Sequence, residues 1–160
     1  MKKKPDKIFT LCFVCKDSKI LLAPKKSRFG AGLINGYGGK VRVGREIEAE
    51  ARRELKAESG ISALKMRQIG FMMFKFLDSR KVFECYFFRV DEFKGVPKET
   101  KEMGPPQWYK MEMKSIPFGQ MWEGDKLWFP FFLRGEDFKG WILYNNTQEK
   151  EVVNHRIIAI

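Results

Sequence analysis

The stretch Gly39-Lys40-Val41-Arg42-Val43-Gly44-Arg45, followed after seven residues by Arg53-Glu54-Leu55-Lys56-Ala57-Glu58-Ser59-Gly60-Ile61, decides how the chain is read. A helix is expected over 46–59. Ile47, Ala51 and Leu55 recur at i, i+4 and i+8 and form one apolar stripe. Glu46, Glu50, Glu54 and Glu58 recur at the same interval on another face. Residues four apart stand about 5–6 Å apart at Cβ, so like charges at that spacing destabilise an isolated helix. Such a ladder needs positive charge beside it. Arg45, Arg52, Arg53 and Lys56 provide it on one reading, as surface salt bridges. Mg2+ provides it on the other, because a hard cation takes carboxylate and phosphate oxygens together. The flanks favour the second reading. Gly36, Gly38, Gly39 and Gly44 precede the helix and let the backbone approach a ligand closely, and Gly60 stops it as a C-cap.

Outward from this helix the chain alternates strands and turns. Residues 8–15 and 19–22 read as two strands around Lys16-Asp17-Ser18. Residues 33–43 read as a glycine-punctuated strand and loop leading into the helix. Residues 64–77 and 81–90 read as a hairpin around Asp78-Ser79-Arg80. The polar stretch 95–106, with Pro97, Gly104 and paired prolines, is a long connection of the kind that carries function. A strand at 107–111, a second helix at 124–133 and strands at 138–144 and 152–157 complete the order. A mixed sheet with helices packed on it, an α/β (α+β) sandwich, accommodates it.

With 160 residues, 44% of them hydrophobic, the chain is expected to form one domain, 1–160, with a sizeable core. Residues 1–7 are expected to be a flexible basic lead, too charged and followed by too short an apolar run for a signal peptide. No apolar run approaches the ~18 residues of a transmembrane helix. Three cysteines do not make a disulfide framework. Cys12 and Cys15 form a CxxC in letters only, because i and i+3 face opposite sides of a strand. The single histidine, His155, is read as structural. The net charge of +11 is spread along the chain. It reads as a solvated basic surface, with attraction of triphosphates, RNA or anionic surfaces as the alternative.

The central stretch resembles the Nudix signature Gly-x5-Glu-x7-Arg-Glu-U-x-Glu-Glu-x-Gly-U, in which U is a bulky aliphatic residue. Gly39, Arg53, Glu54, Leu55, Glu58, Gly60 and Ile61 fall on it in register. Lys25-Lys26, Phe29-Gly30-Ala31-Gly32, Asn35-Gly36-Tyr37-Gly38-Gly39-Lys40-Val41, Ile116-Pro117-Phe118, Met121-Trp122, Asp125 and Trp128-Phe129-Pro130 extend the resemblance over most of the chain. They are similar to the eukaryotic MutT-homologue subfamily, which hydrolyses oxidised purine nucleoside triphosphates. Two signature positions depart. Arg45 stands where the family has its first glutamate, whose usual role is a supporting ion pair. Glu46 is expected to compensate in part, though its side chain points about 100° further round the helix. Ala57 stands where the first of the adjacent glutamates belongs, and that pair helps bind metal and orient water.

The resemblance implies a Nudix α/β/α sandwich and a Mg2+-dependent diphosphatase, with Mn2+ as a substitute, acting on purine nucleoside triphosphates. Glu54, Glu58, Glu102 and the Gly38 carbonyl are the implied metal ligands. Glu58 or Glu102 positions the water, Arg53 orients the glutamates, and Lys25 or Lys40 meets phosphate. Phe29, Phe74, Phe83, Trp122 and Trp128 match positions lining a purine pocket, with Thr10, Asn35 and Asp125 as its polar groups. Stacking binds purines without fixing identity; polar edges fix it. The similar enzymes carry two adjacent aspartates where this chain has Gly124-Asp125, so Gly124→Asp is expected to strengthen selectivity. The carboxylate set is enough for one Mg2+, so reduced activity is expected. The competing reading is a nucleotide- or RNA-binding module with a decayed metal site. The protein is expected to be a cytoplasmic monomer, with a nuclear or mitochondrial fraction as the alternative.

Overall fold

The computed structural model of the chain describes residues 4–147 and 151–160. The turn at Asp17 and Ser18 joins β1 (Lys7–Lys16) to β2 (Lys19–Pro24) as an antiparallel pair. β3 (Ile34–Asn35) adds to β2. The strand expected within 33–43 is only these two residues. Beyond them the chain follows β1 through single bridges at Tyr37 and Lys40. The reason is steric. A Cβ at Gly38 would lie 1.8 Å from the Thr10 carbonyl oxygen, so this run lies closer to β1 than a strand bearing side chains can.

α1 (Ile47–Ser59) follows, with Glu48 and Glu50 in its first turn, where acids suit the helix dipole. It ends at Gly60, whose φ of 81° is left-handed and whose amide donates to the Lys56 carbonyl. β4 (Ser62–Phe76) and β5 (Val82–Lys94) form the long hairpin. β6 (Gln107–Lys110), α2 (Asp125–Leu133), β7 (Phe138–Tyr144) and β8 (Val152–Ala159) complete the order. The strands run β3-β2-β1-β5-β4-β7-β8 across one sheet, with β6 also on β2. The β1–β5 and β4–β7 pairs are parallel, and the rest are antiparallel.

The two-residue period of β1 divides the core between the faces of the sheet. Cys12 and Val14 pack with Ala51, Leu55 and Ile61 on the α1 side. Phe13 and Cys15 pack with Trp128, Phe129 and Phe132 on the α2 side. The sheet therefore lies between the two helices, the expected α/β/α sandwich. Cys12 and Cys15 are buried on opposite faces, where burial pushes both thiols up and keeps them protonated. α2 contains Pro130 and is only nine residues long; burial of Trp128, Phe129 and Phe132 holds it in place of intrinsic propensity. No described helix is long and apolar enough to cross a membrane.

One boundary needs correction. Of the lead expected to be flexible, 1–3 lie outside the described residues, but Asp6 and Lys7 are tied down. Asp6 exchanges hydrogen bonds with Val82, its amide donating to the Val82 carbonyl and its carboxylate accepting from the Val82 amide, both at 2.8 Å. Lys7 already pairs with Phe83 in β1–β5.

Candidate active site

Three carboxylates converge beside α1. Ligand oxygens of Glu54, Glu58 and Glu102 all lie within 4.8 Å of one another. Glu54 and Glu58 come from one face of α1, one turn apart, and both are buried. Glu102 comes from the long connection after β5. That loop is held by the Thr100 hydroxyl donating to the Glu58 carbonyl at 2.9 Å, the Lys98 amide donating to the Ser59 carbonyl at 3.0 Å, and the Lys26 amide donating to the Glu102 carbonyl at 2.9 Å. Burial pushes the Glu58 carboxyl up to about 8, against the opposing pull of the Gly38 amide, which donates to its Oε2 at 3.1 Å. A buried carboxylate beside two others calls for a cation.

The glycine run supplies backbone groups to this cluster. The Tyr37 and Gly39 carbonyls accept from the Cys12 and Thr10 amides of β1. In extended backbone alternate residues turn opposite ways, so the Gly38 amide and carbonyl face α1. Arg53 orders the carboxylates. Its Nε donates to Glu50 at 3.0 Å and its Nη2 to Glu54 at 2.7 Å. Arg28, Lys40, Arg42, Arg53 and Lys101 rim the groove around the three glutamates, and exposed Ala57 lies in its wall. The donor set of three carboxylates and one carbonyl suits a single hard divalent cation that keeps several waters.

A second, apolar cavity has Gly38 and Gly39 in its wall beside the carboxylates: the Gly38 amide donates to Glu58, and a Cβ at Gly39 would lie 3.0 Å from the Glu54 carboxyl carbon. Phe29, Phe74, Phe83 and Trp122 line it. Phe29 and Trp122 stack on each other with ring centroids 5.1 Å apart. Thr10, Asn35 and Asp125 also line it. The Thr10 hydroxyl and Asp125 Oδ2 are buried without a partner among the described residues. Buried polar atoms normally find partners, so both are groups awaiting one. Asn35 Oδ1 accepts from the Gly36 amide at 2.8 Å, leaving its NH2 to donate to a ligand. Burial pushes the Asp125 carboxyl up to about 7, against the Trp128 indole N–H that donates to its Oδ1 at 2.9 Å. Lys25 lines the cavity within reach of the glutamates' charge. Burial lowers its ammonium, and Glu58 and Glu102 oppose that shift.

Two expected residues sit elsewhere. Trp128 does not line the cavity; it is fully buried between Phe87 and Phe138, and it reaches the site only through its bond to Asp125. Glu46 is the exposed residue preceding α1 and forms no ion pair among the described residues. The acid that shares Arg53 with Glu54 is Glu50. Sequence reasoning also missed Tyr144, Phe76 and Leu11 in the cavity wall. Leu11 was legible from alternation with Phe9 and Phe13, whereas Tyr144 joins the wall beside Phe76 through the β4–β7 pairing.

Residues 7–132 match the NUDIX domain family. The chain belongs to this family and is a Nudix hydrolase, the class that the sandwich and the glutamate-bearing helix define. It is 40% identical over 151 residues, 94% of each chain, to oxidized purine nucleoside triphosphate hydrolase of Danio rerio. It is 40% identical over 134 residues, 84% of each chain, to the Mus musculus protein of the same name. A MutT protein from Bacillus halodurans shares the fold, with a TM-score of 0.79 at 24% identity, covering 94% of this chain and 97% of that one. Nudix hydrolases use a divalent metal, and the glutamate cluster fits one.

Proposed function

We propose that the protein hydrolyses purine nucleoside triphosphates, oxidised purines among them, to monophosphate and pyrophosphate, at a rate reduced by the missing carboxylate at position 57. The observation that carries this reading is the closeness of the aromatic cavity to the three carboxylates. An aromatic chamber with unpartnered Thr10 and Asp125 oxygens has Gly38 in its wall, and the Gly38 amide bonds Glu58 in a groove of three carboxylates rimmed by cations. A base in the chamber places its phosphates on that rim. The two relatives named for oxidised purine nucleotides support the same substrate class.

Glu54, Glu58, Glu102 and the Gly38 carbonyl would hold Mg2+, or Mn2+ in its place. Such an ion polarises phosphate and lowers the pKa of a bound water. Trp122 and Phe29 offer faces for the base, while the Asn35 amide donates to its edge. Asp125 accepts from an amino or ring N–H when ionised and donates when protonated. Lys25 and Lys40 meet phosphate oxygens. Glu58 or Glu102 orients the attacking water, and Arg53 keeps Glu54 aimed into the groove. Positioned acid–base groups contribute on the order of 10²–10⁴-fold, so loss of one of the adjacent glutamates lowers the rate without removing the site.

Pyrophosphate release from normal and oxidised purine triphosphates, with Mg2+ or Mn2+, tests this reading. Slow, metal-dependent turnover is expected. No turnover by the natural protein, with turnover gained by Ala57→Glu, would establish a binding module in its place.

A further inference from the structure

We propose that Glu50 performs the ion-pair role that the Nudix signature gives to position 45, and that through Arg53 it fixes the metal-facing carboxylate of Glu54. It is a positioning residue, and the acid has moved from the loop onto the helix.

Position 45 cannot do this work. Arg45 carries the wrong charge, is exposed, and joins none of the ion pairs among the described residues. Glu50 lies one turn before Glu54 on the same helix face, and its side chain is only 3% exposed. Two arginines from different elements close on it. Arg53 donates from Nε and Nη2 at 3.0 and 3.2 Å. Arg42, from the loop before α1, donates from Nη2 at 2.7 Å, from Nε at 3.1 and 3.2 Å, and from its backbone amide at 3.2 Å. The same Arg53 Nη2 also donates to Glu54 at 2.7 Å. The result is a carboxylate–guanidinium–carboxylate chain ending at the metal cluster. A guanidinium fork holds two carboxylates in fixed relation in a way that a lone ammonium cannot.

Isolated surface ion pairs contribute little. Glu50 differs because its removal leaves two cations without their shared acceptor, next to the groove. Arg53 then has only Glu54 to pair with, and competes with a metal for that oxygen. Arg42 releases the loop that carries Lys40. Residues that orient metal ligands typically change metal affinity or activity by about 10–100-fold when mutated.

This inference rests on the metal-site half of the proposed function and not on the nucleotide. The test is therefore Mn2+ binding to the whole chain, measured by calorimetry and electron paramagnetic resonance, beside kcat and KM for dGTP. Glu50→Gln keeps shape and removes charge. It should weaken Mn2+ binding about 10–100-fold and lower kcat with little change in KM, while the near-ultraviolet circular dichroism stays native. Arg45→Glu added to Glu50→Gln returns the acid to the signature position and should recover Mn2+ affinity. Unchanged Mn2+ affinity in Glu50→Gln overturns the proposal, and no recovery in the double variant overturns the relocation. Should Glu50→Gln fail to fold, Glu50→Asp decides: it keeps the charge but shortens the reach, and affinity equal to wild type overturns the proposal. Wild-type protein that binds Mn2+ yet releases no pyrophosphate sinks the catalytic reading alone. Wild-type protein that binds no Mn2+ sinks both.

Discussion

Gly124→Asp is the most informative single substitution, because sequence and structure disagree about it. The resemblance to the MutT-homologue subfamily, which carries two adjacent aspartates here, leads one to expect a second base-reading carboxylate and sharper selectivity. A charged hydrogen bond contributes roughly 1.5–3 kcal/mol, on the order of 10–150-fold in discrimination. The structure leaves no room for it. A Cβ at position 124 would stand 2.4 Å from the Tyr144 hydroxyl oxygen, 2.7 Å from Ile142 Cδ1 and 3.2 Å from Tyr144 Cζ. The end of Ile142 can rotate away. Tyr144 cannot, because its ring stacks on Phe76 at 5.8 Å and abuts Trp122 at 5.3 Å. Overpacking a core typically costs about 1–3 kcal/mol. At about 2–4 °C per kcal/mol for a chain of this size, the melting temperature should fall by roughly 2–12 °C. The new carboxyl also enters beside Asp125, which burial already pushes up to about 7. The single variant should therefore melt lower and gain no selectivity. Gly124→Asp with Tyr144→Phe removes the closest atom and should recover part of the stability and gain discrimination. The assays are thermal unfolding and the ratio of kcat/KM for 8-oxo-dGTP over dGTP. A Gly124→Asp protein with unchanged melting temperature and a raised ratio would refute the argument that Tyr144 fills this space.

Other outcomes follow from the same geometry. Glu58→Ala should abolish turnover, and Ala57→Glu should raise it by up to about 10²-fold; unchanged pyrophosphate release in Glu58→Ala would place the metal elsewhere. Trp122→Ala should weaken binding of a purine nucleotide by about 1–3 kcal/mol, the usual value of base–aromatic stacking, as read by calorimetry. Trp128→Ala should instead act through the core and lower stability by about 3–5 kcal/mol, as read by denaturant unfolding. Asp125 has a native carboxyl pushed up to about 7, against an ordinary 3.8. Between those values the native state holds the proton more tightly than the unfolded one, so Asp125 makes stability fall as pH rises through that window. Asp125→Asn should flatten this part of the metal-free stability curve, and an unaltered slope would show that the carboxyl titrates normally.

The helix, its stripe and its cap were legible because each rests on local chemistry: Ile47, Ala51 and Leu55 at helical spacing, and Gly60 where a left-handed residue was needed. The hairpins were legible from alternation. The glycine run was misread over 33–43, since closeness to β1 depends on the absent Cβ of Gly38 meeting Thr10 across the sheet, a contact invisible in one dimension. Trp128 was misassigned for a related reason. An aromatic residue three positions after Asp125 on a helix shares its face, but whether that face meets a cavity or the core depends on where β5 and β7 lie. Glu50 was visible as one rung of the ladder, and only the folded loop bringing Arg42 onto it shows its separate task.

The parallel seams of the sheet have a kinetic consequence. β1 pairs with β5 about seventy-five residues further on, since Lys7 meets Phe83 and Val14 meets Val90. β4 must wait for β7 to arrive from beyond α2. Such non-local pairings are slow to form, because the entropy of closing long loops is lost before the contacts return it. The chamber wall runs from Phe9 to Tyr144 and so is assembled only when both seams have closed. A ligand of that chamber meets nothing complete on a half-folded chain. It binds the native state alone, slows the loss of that state, and stabilises it by RT ln(1 + [L]/Kd). For this fold, the concentration of a chamber ligand is thereby also a setting of how long each molecule survives.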